Sequence, residues 1–226
     1  MDIVSELHYR LIRSDRKTLA LHLTRKGIEV RAPLYCPLGD IEAFIYSKQD
    51  WLSKRIALMV KQAVEMCAFR LDYGTEILFR GKRYPIVASS ELGFDEGFQI
   101  PPGLSVGGIR NSCVHIYKYM AKIYFSERVG HFSEIMGVKP SAVKVTNAKR
   151  RWGSCSGKKS INFSWRLIMT DDRIIDYVIC HELAHILQMD HSAKFWSILK
   201  AVMPDCLSRR EELVDYVRIF MVEGWS

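Results

Sequence analysis

The pattern of apolar and polar positions divides the chain into a strand-rich beginning and a helix-rich remainder. LHYRLIRSD (7–15), TLALHLT (18–24) and GIEVRAP (27–33) alternate in part, which predicts three short strands with one buried face. Gly27 separates the second from the third, and Pro33 and Pro37 close the unit. Between Leu38 and Met66, Ile41, Phe44, Ile45, Trp51, Leu52 and Ile56 recur at helical spacing, with Asp40 as N-cap. YGTEILFRGKRYPIVASS (73–90) reads as a hairpin turning at Gly81. GFDEGFQIPPGLSVGGIRNS (93–112) is rich in Gly and Pro and predicts a linker.

Apolar residues then return at steps of three and four. Val114, Tyr117, Ala121, Tyr124, Phe125 and Phe132 predict a long helix from about Asn111 to Met136, with Gly137 at its C′ position. SAVKVTNAKRRWGSCS (141–156) and KKSINFSWRLI (158–168) predict two strands joined around Gly153 to Gly157. Thr170 is the predicted cap of the next helix, DDRIIDYVICHELAHIL, with Asp171 and Asp172 near its positive end. SAKFWSILKAVM and SRREELVDYVRIFM predict two more helices, separated at Pro204. The expected division is a β-rich domain with one or two helices at 1–100 and a second domain at 101–226.

Composition adds limits. The 226 residues, 48% hydrophobic and 26% charged, suit a soluble globular protein. No apolar run reaches the roughly 18 residues that span a bilayer, and MDIVSELHYR lacks the apolar core of a secretory signal. Cysteines 36, 67, 113, 155, 180 and 206 stand singly, which favours a cytoplasmic chain with reduced thiols over a disulfide framework. Net charge is +8. Lys139, Lys144, Lys149, Arg150, Arg151, Lys158 and Lys159 lie in a stretch (139–159) without Asp or Glu. That stretch is either a solvated face or a surface for nucleic acid, and only Trp152 and Trp165 are nearby for base stacking.

The chemistry concentrates in HELAHILQMDH. Two helix residues four apart lie about 40° and about 6 Å from each other, so His181 and His185 can reach one ion. Glu182 points roughly 100° away, where it can act on a water rather than bind the ion. On a straight helix His191 would sit about 9 Å beyond His185 and about 120° around the axis. It can be a ligand only if the helix ends soon after Leu187 and the chain turns at Gln188-Met189-Asp190, with Ser192 capping the next helix. Three neutral imidazoles and an open fourth position describe a catalytic Zn²⁺ site, with Glu182 as general base. Phe195 and Trp196 are expected to buttress the corner, and Tyr177 and Tyr216 are candidates for stabilising an oxyanion.

RRWGSCS (150–156), INFSWRLI (161–168), IDYVICHELAHILQMDH (175–191) and SAKFW (192–196), with RKTLALHL, GIEVRAP, DIEAFIYSKQDWLSKR and FRGKRYPI upstream, together resemble the YgjP-like metallopeptidases. The resemblance covers most of the chain except the loop from Ser89 to Arg110. It implies an α+β, zincin-like metalloprotease domain, with an active-site helix and adjacent β-hairpin, preceded by a small β-rich domain. It implies one Zn²⁺ on His181, His185 and His191, with Glu182 as base, and a kinship with SprT-like and WLM-type proteases, some of which act on DNA-bound proteins. Metzincins share the histidine spacing but place glycine where this chain has Gln188. Bacterial rRNA-maturation endoribonucleases share the Asp190-His191 pair but carry glycine at the Glu182 position and at the turn.

The expected function is therefore zinc-dependent hydrolysis of peptide bonds in a protein or peptide substrate. A metal-dependent nuclease and a non-catalytic, metal-containing, nucleic-acid-associated module are the alternatives. Arg150, Arg151 and Trp152 are candidate substrate contacts, because an edge strand above a zincin cleft pairs with an extended peptide. In the other reading Trp152 and Cys155 pack in the core while the arginines face water.

Overall fold

The structure, a computed structural model, describes residues 8–24 and 27–225. It is α+β and forms two compact units, 1–65 and 66–226. Each has its own apolar core, as the two clusters of buried residues show.

In the first unit β1 (Tyr9–Ser14), β2 (Ala20–Thr24) and β3 (Gly27–Pro33) form a sheet of order β1-β3-β2, with β1 parallel and β2 antiparallel to β3. The alternation of β3 puts Ile28, Val30 and Ala32 on the buried face, against Ile41 and Ile45 of α1 (Leu38–Ser47). One predicted helical segment is two helices: α1 stops at Lys48, and α2 (Gln49–Ala68) follows. The expected cap is corrected as well. Pro37 holds the N-cap position, and Asp40 lies in the first turn, where its charge meets the helix dipole.

The second unit begins with β4 (Glu76–Phe79) and β5 (Lys82–Ala88), then β6 (Gly93–Phe94) and β7 (Phe98–Ile100), in sheet order β4-β5-β7-β6. The β4–β5 hairpin turns on Arg80 and Gly81, both left-handed at φ 48° and 75°, as a two-residue turn requires. The stretch predicted as a linker is not one. Phe98 and Ile100 are fully buried, so the unit boundary falls at 65/66 instead of 100/101.

α3 (Val106–Met136) starts earlier than Asn111, because the Ser105 side chain accepts from Gly108 N, and ends at Gly137 with φ 64°. It is the spine of the core: Cys113, Tyr117, Ala121, Phe125 and Phe132 are buried along one stripe, and the Tyr117 hydroxyl donates to Leu78 O at 2.6 Å. β8 (Ala142–Thr146), β9 (Gly153–Cys155) and β10 (Ser160–Ser164) follow in order β8-β10-β9. The first predicted strand of this region is split in two, and Gly153 lies in a strand, not in the turn. A 3₁₀ turn at Trp165–Met169 leads into α4 (Asp172–Leu187), α5 (Ala193–Val202) and α6 (Cys206–Val222).

α4 is fixed at its start from three sides. Asp171, not Thr170, is its cap: Oδ1 accepts from Ile174 N at 3.0 Å. Arg80 makes a two-point pair with Asp172, and Gly81 N donates to Met169 O at 3.2 Å. Further along, Arg128 of α3 grips Asp176 at 2.7 and 2.8 Å. All six cysteines are free, and no helix among the described residues is long and apolar enough to cross a membrane.

Candidate metal centre

α4 is buried around most of its circumference, so what it presents to the site is decided by where it stops. It stops at Leu187, as the histidine spacing requires. Gln188 is extended (φ −146°, ψ 110°), so the turn needs no left-handed residue and no glycine. Asp190 shapes it instead. Its Oδ1 accepts from Gln188 Nε2 and from Ser192 N, each at 3.0 Å. Ser192 occupies the N-cap position of α5, but the side-chain bond at this corner is made by Asp190.

The corner returns His191 to the two helix histidines. One nitrogen each from His181, His185 and His191 lies within 4.8 Å of the others. The Nε2 atoms of His181 and His191 face each other at 3.1 Å. Two nitrogens about 2.0–2.1 Å from one tetrahedral ion stand roughly 3.3 Å apart, so the pair fits a shared ion. His185 Nδ1 is 3.1 Å from the Gln188 carbonyl. Donating there fixes the tautomer and leaves the Nε2 lone pair for a metal. Burial, with His185 and His191 adding to it, pushes His181 down to about 3, and burial lowers His185 too, so both stay neutral as ligands must. His191 is exposed, which opens the centre to solvent. Phe195 is the floor: it is fully buried, with its ring 4.9, 4.6 and 4.8 Å from those of His181, His185 and His191. Trp196 packs partly buried beside it.

Glu182 is buried and lies against β9. The Cys155 backbone N–H donates to its carboxylate, while Oε2 has no partner among the described residues. Burial raises its pKa to about 7, against the opposing pull of Arg151 and the Cys155 N–H. Gly153 makes room for it. A Cβ at 153 would stand 2.6 Å from Glu182 Cγ and Oε1.

The β9–β10 register explains why Cys155 is free to donate. Ser164 N reaches Trp152 O at 2.8 Å and Ser156 N reaches Ser160 O at 3.0 Å, so the even-numbered residues bond inward. Gly153 and Cys155 therefore turn their backbone groups to the open edge.

A cavity beside these groups is lined by His181, Glu182, Gly153, Trp152, Tyr177 and Arg210. Burial pushes the Tyr177 hydroxyl up to about 12, which keeps it a donor. Tyr216, the other candidate, is elsewhere: its hydroxyl is bound to Asp171 N and Oδ2 at 3.2 and 3.1 Å. Arg210 was not foreseen from sequence. Its guanidinium lies 5.5 Å from the Trp196 ring centre. Trp152 is half-buried against Phe220, and Arg150 and Arg151 are exposed. All seven cations of 139–159 are exposed around β8, β9 and β10.

Three imidazoles closing on one point form a group that could hold a metal ion, and Glu182 follows the first of them in the chain. The chain belongs to the YgjP-like family: the model of the YgjP-like metallopeptidase domain matches residues 17–216. Membership brings the class of activity with it, a metal-dependent peptidase acting on peptide substrates. No match was found among curated proteins. Two solved structures are similar in part. The metallopeptidase zymogen of Pyrococcus abyssi abylysin is 20% identical, with 42% of this chain and 95% of that chain covered and a TM-score of 0.39. The metallopeptidase zymogen of Methanocaldococcus jannaschii jannalysin is 20% identical, with 40% and 94% covered and a TM-score of 0.37.

Proposed function

We propose that this chain is a zinc-dependent peptidase in which His181, His185 and His191 hold one Zn²⁺ and Glu182 is the general base. The observation that carries the reading is the split role of the Glu182 carboxylate. The Cys155 N–H tethers the group to β9, and Oε2 stays buried and unpartnered, in a residue that lines one cavity together with His181. Imidazole ligands suit zinc among the divalent ions. When bound, the ion supplies Lewis acidity toward water and the scissile carbonyl.

The rest is the work of the chain. Glu182 Oε2 accepts a proton from the attacking water and then passes it to the leaving amine. A carboxyl group that titrates near neutrality can do both, and burial moves Glu182 that way. Tyr177 and Arg210 line the same cavity and offer donors to a developing oxyanion. The outward backbone groups of Gly153 and Cys155 offer an edge for an extended substrate, apart from the one N–H that Glu182 takes.

The test is metal content. The purified chain is expected to hold one zinc per molecule, and His181→Ala, His185→Ala or His191→Ala to lose it. A His191→Ala variant that keeps a full equivalent with unchanged affinity would remove the third ligand from the site. Metal-dependent cleavage of RNA or DNA, with no peptide cleaved, would favour the nuclease alternative instead.

A further inference from the structure

Trp152 is a wall shared by two cavities. One is the cavity of Glu182 and His181, and the other has a volume of about 280 Å³. The second is lined by Lys149, Arg150, Arg151 and Arg166, with Trp152 and Phe220 as apolar sides, and no Asp or Glu is among its lining residues. Arg166 is its fixed charge, at 7% exposed. Its Nε donates to Trp225 O, and its Nη1 to Asn147 Oδ1 at 3.1 Å and Ala148 O at 3.4 Å. Those acceptors are all neutral, so they satisfy hydrogens without cancelling the charge. Arg150 and Arg151 stand on the irregular stretch between β8 and β9, immediately before Trp152 and the edge strand that starts at Gly153. Arg151 is close enough to Glu182 to oppose the effect of burial on it.

We propose that this cavity is a carboxylate subsite of the peptidase: it receives an acidic side chain, or the C-terminal carboxylate, of a peptide lying along β9. The inference rests on the peptidase reading. Three guanidinium groups provide the forked donors that match a carboxylate, and the half-buried position of the recess strengthens the attraction over its value in water. Shape separates this from a nucleic-acid site. The volume is just under the roughly 300–1,000 Å³ of ligand pockets, which suits one side chain between apolar walls. A polynucleotide backbone is instead met by cations distributed over an open face.

The experiment uses zinc-loaded Glu182→Gln protein, so that binding is read without turnover. Fluorescein-labelled extended peptides carry a single Glu walked through each position, against Gln at the same position, and each is made with a free or an amidated C-terminus. One Glu position, or the free C-terminus, is expected to bind at least roughly tenfold more tightly than its neutral counterpart. The internal Glu and the terminal acid separate the two sources of the carboxylate. The advantage is expected to fall to within about twofold when Arg150→Gln and Arg151→Gln are added. Both residues are exposed, so circular dichroism and one equivalent of zinc verify the fold.

Charged and neutral peptides binding alike, or neither binding, would overturn the proposal, as would an advantage that survives the double substitution. Tight binding of a single-stranded oligonucleotide with no preference between the peptides would overturn it in favour of a nucleic-acid face. Failure of the wild-type enzyme to cleave any peptide bears on the peptidase reading alone, because the binding comparison does not use turnover.

Discussion

A methyl group at position 153 would stand 2.6 Å from both Cγ and Oε1 of Glu182. The glycine of WGSC, in β9, therefore acts through the glutamate of α4. Gly153→Ala is expected to keep one equivalent of metal, since the atoms nearest a Cβ there all belong to Glu182, and to lower kcat by about a hundredfold with little change in KM, a loss within the range of general-base catalysis. Steady-state kinetics beside metal analysis check this, and an unchanged kcat would show that the carboxylate needs no such room. The four residues of the candidate site were legible in sequence, because all lie within eleven residues, helix geometry sets the directions of three, and the spacing of His191 requires the turn after Leu187. Gly153 and Arg210 were not. Each meets the site through tertiary packing, from 29 residues before Glu182 and 28 after it, and no local period encodes that meeting.

The helix that carries His181, Glu182 and His185 is positioned by its neighbours as much as by its own sequence. The β4–β5 turn seats on the start of α4, and a Cβ on Gly81 would stand 2.7 Å from Asp171 Cβ in a backbone with φ 75°. Gly81→Ala meets both the clash and the left-handed strain, so it is expected to destabilise the fold by about 1–3 kcal/mol, read by urea denaturation. The Arg80–Asp172 pair makes the same junction sensitive to acid. Arg80 holds the Asp172 carboxyl below its ordinary pKa, so the pair stabilises fully above roughly pH 3.9 and is lost as pH falls through the lower folded value. Arg80→Gln is expected to lower Tm slightly at pH 7, because both side chains are partly exposed, and to make a smaller difference at pH 3. A larger difference in acid would contradict the pair's role. Long elements such as α3 and α4 could be read from period alone. β6 and β7 could not: two or three residues show no period, and the Gly and Pro around Phe98 and Ile100 carry the signature of a loop.

At the scale of the molecule, the complete candidate site lies in the unit 66–226, and so does the hairpin that sequence assigned to the preceding domain. Sequence placed the boundary at the strongest Gly/Pro stretch. Packing placed it elsewhere, because burial of Phe98 and Ile100 joins that stretch to the core of α3. The cations of 139–159 also belong to this unit, and they surround β9, which supplies the floor for Glu182. The central claim is that Glu182 moves the proton while the three histidines hold the metal. Peptide turnover by Glu182→Gln, at one verified equivalent of zinc, tests it most directly. The expected result is full metal content with kcat lowered by at least roughly a hundredfold. Turnover near the wild-type rate in that preparation would contradict it.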